Sequence, residues 1–207
     1  MHIYAFGSIC RGEITRESDI DLLAISSSTD SAMDESTFSS YSYEKIRTLW
    51  GYGNPFAWHL HLESSMVFSS DGSNFLRDLG IPSAYTDAHN DCVSFIDLFE
   101  QAKKSIESGS NSKIFELSTA FIAARNFAIC YSLQNGKTPS FSRYSAKQLG
   151  RDSLDISDAS FKTLERARLL ASRGIGTEIG EKELTKTIGE LPAIRLWMDK
   201  LMKDLTP

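Results

Sequence analysis

The sequence predicts an α+β chain in which a small α/β unit, residues 1–86, is followed by an α-helical bundle, residues 87–207. Three observations carry this reading. Up to about residue 80, short β-rich apolar runs alternate with helical patterns, whereas from Ala88 onward the pattern is helical throughout. Charge divides at the same place: residues 1–86 hold 5 Lys/Arg against 11 Asp/Glu, a net of −6, and residues 87–207 hold 17 against 16, a net of +1. At 207 residues and 41% hydrophobic composition, the chain is long enough to bury a sizeable core in one or two domains.

Taken in order, His2–Phe6 is short, apolar and β-rich and reads as a strand running into a Gly7-Ser8 turn. Residues Ser8 to about Thr15 are expected to open a short helix. The next strand spans Ile20–Ile25, and period-two geometry sets Asp19 and Asp21 on one face with Ile20 and Leu22 on the other. Ser26–Ser40 is a Ser-rich loop, a mobile lid or an insertion. Tyr41–Leu49 reads as a helix ended by Gly51 and Gly53, with Pro55 in the loop beyond. Phe56–Glu63 alternates Trp58, Leu60 and Leu62 with His59, His61 and Glu63, which predicts a half-buried strand with two imidazoles and a carboxylate on its polar face. Gly72–Leu79 contains a short helix stopped by Gly80 and Pro82. Helices are then expected near 89–107, 112–134, 158–173 and 181–203, with a short one at 144–150. Loops such as Gln134-Asn135-Gly136-Lys137 separate them, and no solenoid period is present.

The stretch from Phe6 to Leu23 carries the chemistry. Gly7 lets a backbone approach a ligand where a Cβ would collide, and the first free N–H groups after the turn, with the Ser8 hydroxyl, suit phosphate oxygens. Two acids on one strand face repel unless a cation lies between them, and Mg²⁺ is commonly held by one or two carboxylates plus substrate phosphates. Each part alone has a plainer explanation, a common turn or a solvated strand edge. Their order and spacing together make the combination specific.

Gly7-Ser8, Arg11-Gly12 and Ser18-Asp19-Ile20-Asp21 in this order resemble the nucleotidyltransferase superfamily related to DNA polymerase β, in particular its minimal members and the aminoglycoside nucleotidyltransferases. The resemblance is strongest over residues 1–26 and extends to about residue 86. It implies a small α/β palm with a mixed sheet, an NTP (ATP the expected case) held by Gly7 and Ser8 with Arg11 and Ser18 beside them, and two Mg²⁺ held by Asp19 and Asp21. It implies transfer of an NMP, expected to be AMP, to a hydroxyl acceptor with release of pyrophosphate. A third acid on a neighbouring strand completes the family's site. Glu63 has the chemistry for metal ligation or for general-base action, while the family's apolar-acid-apolar pattern centres on His61, so both stay candidates. The acid's uncertain identity also leaves room for a catalytically weak, antitoxin-like nucleotide-binding module acting on a protein or RNA partner.

In the second half, Ile114–Leu133 is apolar on nearly every side and reads as a central helix, yet it contains Arg125 and Asn126. Arg125 is a candidate for nucleotide phosphate or acceptor, or else one partner of a structural ion pair. Lys162, Arg166 and Arg173 share a face of the following helix, as a basic site or as a solvated surface. A palm followed by a bundle resembles the kanamycin-type nucleotidyltransferases and the bacterial minimal nucleotidyltransferases that work with a helical HEPN partner. The HEPN ribonuclease motif needs a His a few residues after an Arg on a core helix, and no His follows His89. The bundle is therefore read as HEPN-like, substrate-binding or dimerising, the chain being a candidate homodimer.

The net charge of −5 argues against a generic nucleic-acid coat. Cys10, Cys92 and Cys130 are odd in number and widely spaced, giving neither a disulfide framework nor a metal spacing, as expected of free thiols in a reducing cytoplasm. No signal peptide is expected ahead of a strand at His2, and no apolar run approaches the ~20 residues that cross a bilayer. The acceptor, whether small molecule, protein or RNA, has no diagnostic motif.

Overall fold

The computed structural model describes residues 1–13, 20–27, 37–136 and 139–205. It divides into two compact units, Met1–Thr86 and Asp87–Pro207. The architecture is α+β: a mixed four-stranded sheet with helices, then a helical region.

In the first unit, β1 (His2–Phe6), β2 (Asp21–Ser26), β3 (Phe38–Ser42) and β4 (Ser64–Ser69) form a sheet of order β3-β2-β1-β4. β1 pairs antiparallel with both β2 and β4, and β2 pairs parallel with β3. Period-two geometry sets Tyr4 and Phe6 on the same face as Leu23 and Ile25. That face is buried under Ile46 and Trp50 of α1 (Tyr43–Gly51), Ala57 and Leu60 of α2 (Pro55–Glu63) and Leu76 of α3 (Phe75–Asp78). Fully burying a side chain such as Leu23 or Ile25 contributes about 1.5–3 kcal/mol.

Three segments depart from expectation. Phe56–Glu63 is not a strand but helix α2. Asn54 caps it, its side-chain oxygen accepting from the Phe56 N–H at 2.9 Å, and Pro55 occupies the first turn where its missing N–H costs nothing. The buried pair is Ala57 and Leu60, three residues apart, while Leu62 is exposed, so the alternating pattern does not mark a face. The strand that pairs with β1 is the next segment, β4.

Secondly, the loop expected over Ser26–Ser40 gives way at Phe38 to β3, and the helix expected from Tyr41 starts at Tyr43. Ser42 both ends the strand and caps α1, accepting from the Lys45 N–H at 3.1 Å. Residues 28–36 lie outside the described residues. Thirdly, the helix expected from Ser8 is a single 3₁₀ turn, Gly7–Ile9. Gly12, at φ +70°, turns the chain so that the Glu13 N–H donates to the Ser8 carbonyl at 3.0 Å, and a helix does not continue. Residues 14 and 15 lie outside the described residues.

The second unit comprises α4 (Ala88–Glu107), α5 (Lys113–Gln134), α6 (Asp158–Arg173) and α7 (Glu181–Met202). The short helix expected at 144–150 is replaced by two 3₁₀ turns, Ser145–Lys147 and Gly150–Asp152. α5 is central, with Leu117, Ala120, Ala123, Phe127 and Ala128 fully buried. α6 starts at the Ser157 cap and ends at Gly174, at φ +64°, a left-handed helix stop. Among the described residues no helix is long and apolar enough to cross a membrane.

Candidate active site

The end of β1 organises the site. Phe6 stands opposite Asp21 on β2 and opposite Ser64 on β4, so three strands present one row of residues at this end of the sheet. The chain then turns at Gly7, which has φ +75°. A Cβ there would lie 2.5 Å from Oδ2 of Asp21, closer than any real contact. Gly7 thus makes room for the Asp21 carboxylate itself, and the exposed carboxylate lies against the turn that carries Ser8. Asp19 and Ser18 lie outside the described residues.

Arg11, expected beside the phosphates, is engaged by two acids. Its Nε donates to Glu13 at 3.0 Å, and its Nη1 donates to Glu63. Glu63 also meets His59 Nε2 at 3.1 Å, one helical turn earlier on α2. Burial pushes the Glu63 carboxyl up, but the hydrogen bonds from His59 and Arg11, with their charges, hold it below the usual carboxylate range. One guanidinium therefore lies between two carboxylates, and in this arrangement it is already neutralised. Glu13 and the His59–Glu63 partnership are the members that sequence reasoning missed. The i,i+4 spacing of His59 and Glu63 shows only once the segment is known to be a helix.

Glu63 ends α2 immediately before Ser64, which brings it to the same end of the sheet as Asp21. His61 does not join it. Helical geometry turns His61 away from the face shared by His59 and Glu63, and its ring lies edge-on to Trp50 and Trp58, with centroids 6.3 and 5.9 Å away. β4 itself, Ser64–Ser69, holds no acid.

In the second unit Arg125 donates from Nε (3.1 Å) and Nη2 (2.9 Å) to Oδ1 of its neighbour Asn126 and is half-buried. Arg166 is engaged by Glu183 at 2.8 Å and by the Glu178 carbonyl at 2.6 Å, a loop-fastening role. The described cysteines are free thiols, Cys10 exposed and Cys92 and Cys130 buried, and burial pushes the Cys92 thiol well up, away from reactivity.

Among the described residues no group of three or more His, Cys, Asp or Glu could hold a metal ion. Asp21 nevertheless supplies the right kind of donor, an exposed hard oxygen at the mouth of a turn, which fits Mg²⁺. The chain finds no match among curated proteins. Residues 2–82 match the family model described as the nucleotidyltransferase domain, which supports the nucleotidyltransferase superfamily for the first unit and, with it, a transferase acting on a nucleotide.

Proposed function

We propose that the chain is an Mg²⁺-dependent nucleotidyltransferase that moves an NMP, AMP in the expected case, from an NTP to a hydroxyl acceptor and releases pyrophosphate. The observation that carries the reading is the fit of the Asp21 carboxylate against the bare Cα of Gly7, beside a turn with Ser8, within the segment that matches the nucleotidyltransferase domain. Asp19 and Asp21 would hold Mg²⁺, which supplies neutralisation of the triphosphate and of the departing pyrophosphate. The turn N–H groups and the Ser8 hydroxyl would bind phosphate oxygens and orient the NTP. Glu63, at the end of the sheet where Asp21 lies, would take the acceptor's proton once Arg11 has left it. A triphosphate at the turn would draw the Arg11 guanidinium, three residues beyond Ser8, toward its own oxygens. Positioning and preorganised charge would supply most of the rate. The bundle at 87–207 would select the acceptor or form a homodimer.

A second reading has its own support: with Glu63 held by Arg11 and His59 and with no acid on β4, the unit would bind nucleotide with little turnover, as an antitoxin-like module acting on a protein or RNA partner. Labelled NTPs with Mg²⁺ separate the two. Pyrophosphate release lost in the Asp19→Ala/Asp21→Ala variant supports the enzyme. Mg²⁺-dependent NTP binding without pyrophosphate supports the module, and binding that is unaffected by both substitutions refutes each.

A further inference from the structure

Among the described residues β4 is an edge strand, hydrogen-bonded to β1 on one side only. Its four inner residues are all exposed: Ser65, then Met66 at 40%, Val67 at 62% and Phe68 at 44%. No charge and no proline interrupts Ser64–Ser70, although natural sheet edges are usually guarded by both. Its one guard is a bulge at Val67, since Ile3 pairs with Phe68 but Tyr4 pairs with Met66. Pairing is regular along Ser64–Met66.

Beside that regular stretch opens a cavity of about 250 Å³. Ser64 and Met66 of β4 line one side, Leu60 and His61 of α2 another, and Leu76 and Arg77 of α3 a third. Leu60 and Leu76, both buried, give it apolar lining beside the Tyr4 hydroxyl and the Asn74 amide, and it also carries the His61 imidazole and the Arg77 guanidinium. The His61 ring lies edge-on to Trp50 and Trp58, and among the described residues the Arg77 guanidinium, 80% exposed, forms an ion pair only with the adjacent Asp78, at 3.9 Å.

We propose that β4 and this cavity form a docking groove for an extended segment of a partner protein that carries a carboxylate. The segment's main chain pairs with Ser64–Met66, an apolar side chain rests on Leu60, Leu76 and Met66, and the carboxylate lies between His61 and Arg77. A second copy of this chain fits less well. Its own β4 would bring only serines and apolar groups to the groove, with no carboxylate for His61 and Arg77.

A random library of eight-residue peptides, displayed on phage and selected against the full chain, tests this, with a selected peptide remade as its Glu→Gln or Asp→Asn counterpart. Selected peptides should share an acidic position. Neutralising that residue, or the Arg77→Ala substitution, should weaken binding about tenfold, the worth of one charge-assisted hydrogen bond. Met66→Lys, at an exposed position, should abolish it with the melting curve unchanged. The proposal is overturned if no peptide is enriched, if acidic residues are not, or if Arg77→Ala binds like wild type. It is equally overturned if sedimentation shows a dimer that Met66→Lys dissociates, since the edge would then belong to a second copy.

Discussion

Gly7→Ala isolates the contact on which the proposed nucleotide site depends. Two costs follow from the structure. The backbone at φ +75° is the left-handed region, which costs an L-residue about 1–2 kcal/mol. The new Cβ would also stand 2.5 Å from Asp21 Oδ2. Restoring ordinary contact needs a retreat of about 1 Å. Asp21 is exposed and starts its strand, so its side chain can turn without moving the buried part of the strand. The clash should therefore appear in function, and a misplacement of about 1 Å in a catalytic constellation costs about 10²-fold. Gly12→Ala supplies the control, because Gly12 has φ +70° but none of the described residues lies within 4 Å of the place its Cβ would take. Urea denaturation should give both variants a similar loss of about 1–2 kcal/mol. Binding of a fluorescent ATP analogue with Mg²⁺, and pyrophosphate release, should fall about 10²-fold for Gly7→Ala only. Equal losses in the two variants, or wild-type nucleotide binding by Gly7→Ala, would refute the role given to the Asp21 contact.

Other outcomes follow from the same packing. Because the folded Glu63 carboxyl lies below the usual range, its stabilising effect is full above the unfolded value of about 4.3 and is lost as pH falls through the folded value. The urea midpoint of wild type should therefore fall more steeply on acidification below about pH 5 than that of Glu63→Gln, the two curves converging at low pH. Tyr4→Phe removes a hydroxyl that donates to Asn74 Oδ1 and accepts from the Leu76 N–H, both at 3.1 Å; the buried N–H left behind should cost about 1–3 kcal/mol, read by chemical denaturation. Asn54→Ala removes the α2 cap and should cost about 1 kcal/mol in the same measurement.

What the sequence made legible was local. α5 is apolar on nearly every side and α6 carries its apolar residues on one face, so the helical period sufficed to place both. Gly7 and Asp21 are close in sequence, and their proximity in space needs only one antiparallel turn of chain. The illegible parts had no local signature. β3 is a serine-rich edge strand held by backbone pairing with β2, and β4 is exposed on both faces, so neither shows the alternation that burial of one face imposes. Arg11 and Glu63 are 52 residues apart and meet only through the β1–β4 register.

The decisive misreading concerned Phe56–Glu63, and its consequences show how one local assignment decides the chemistry of a site. Eight residues alternating apolar and polar satisfy a strand template. They satisfy a helix equally well when its buried stripe is as narrow as Ala57 and Leu60. The discriminating signal lay upstream, in Asn54-Pro55, a cap followed by a residue that opens helices and does not donate to a ladder. A strand would have set His59, His61 and Glu63 side by side. As a helix the segment pairs His59 with Glu63 across one turn, carries that carboxylate to the sheet end where Asp21 lies, and turns His61 to the cavity beside β4. Periodicity parts the two candidates for the third position: 100° per residue turns Glu63 and His61 to different sides of α2, where 180° would have kept them together.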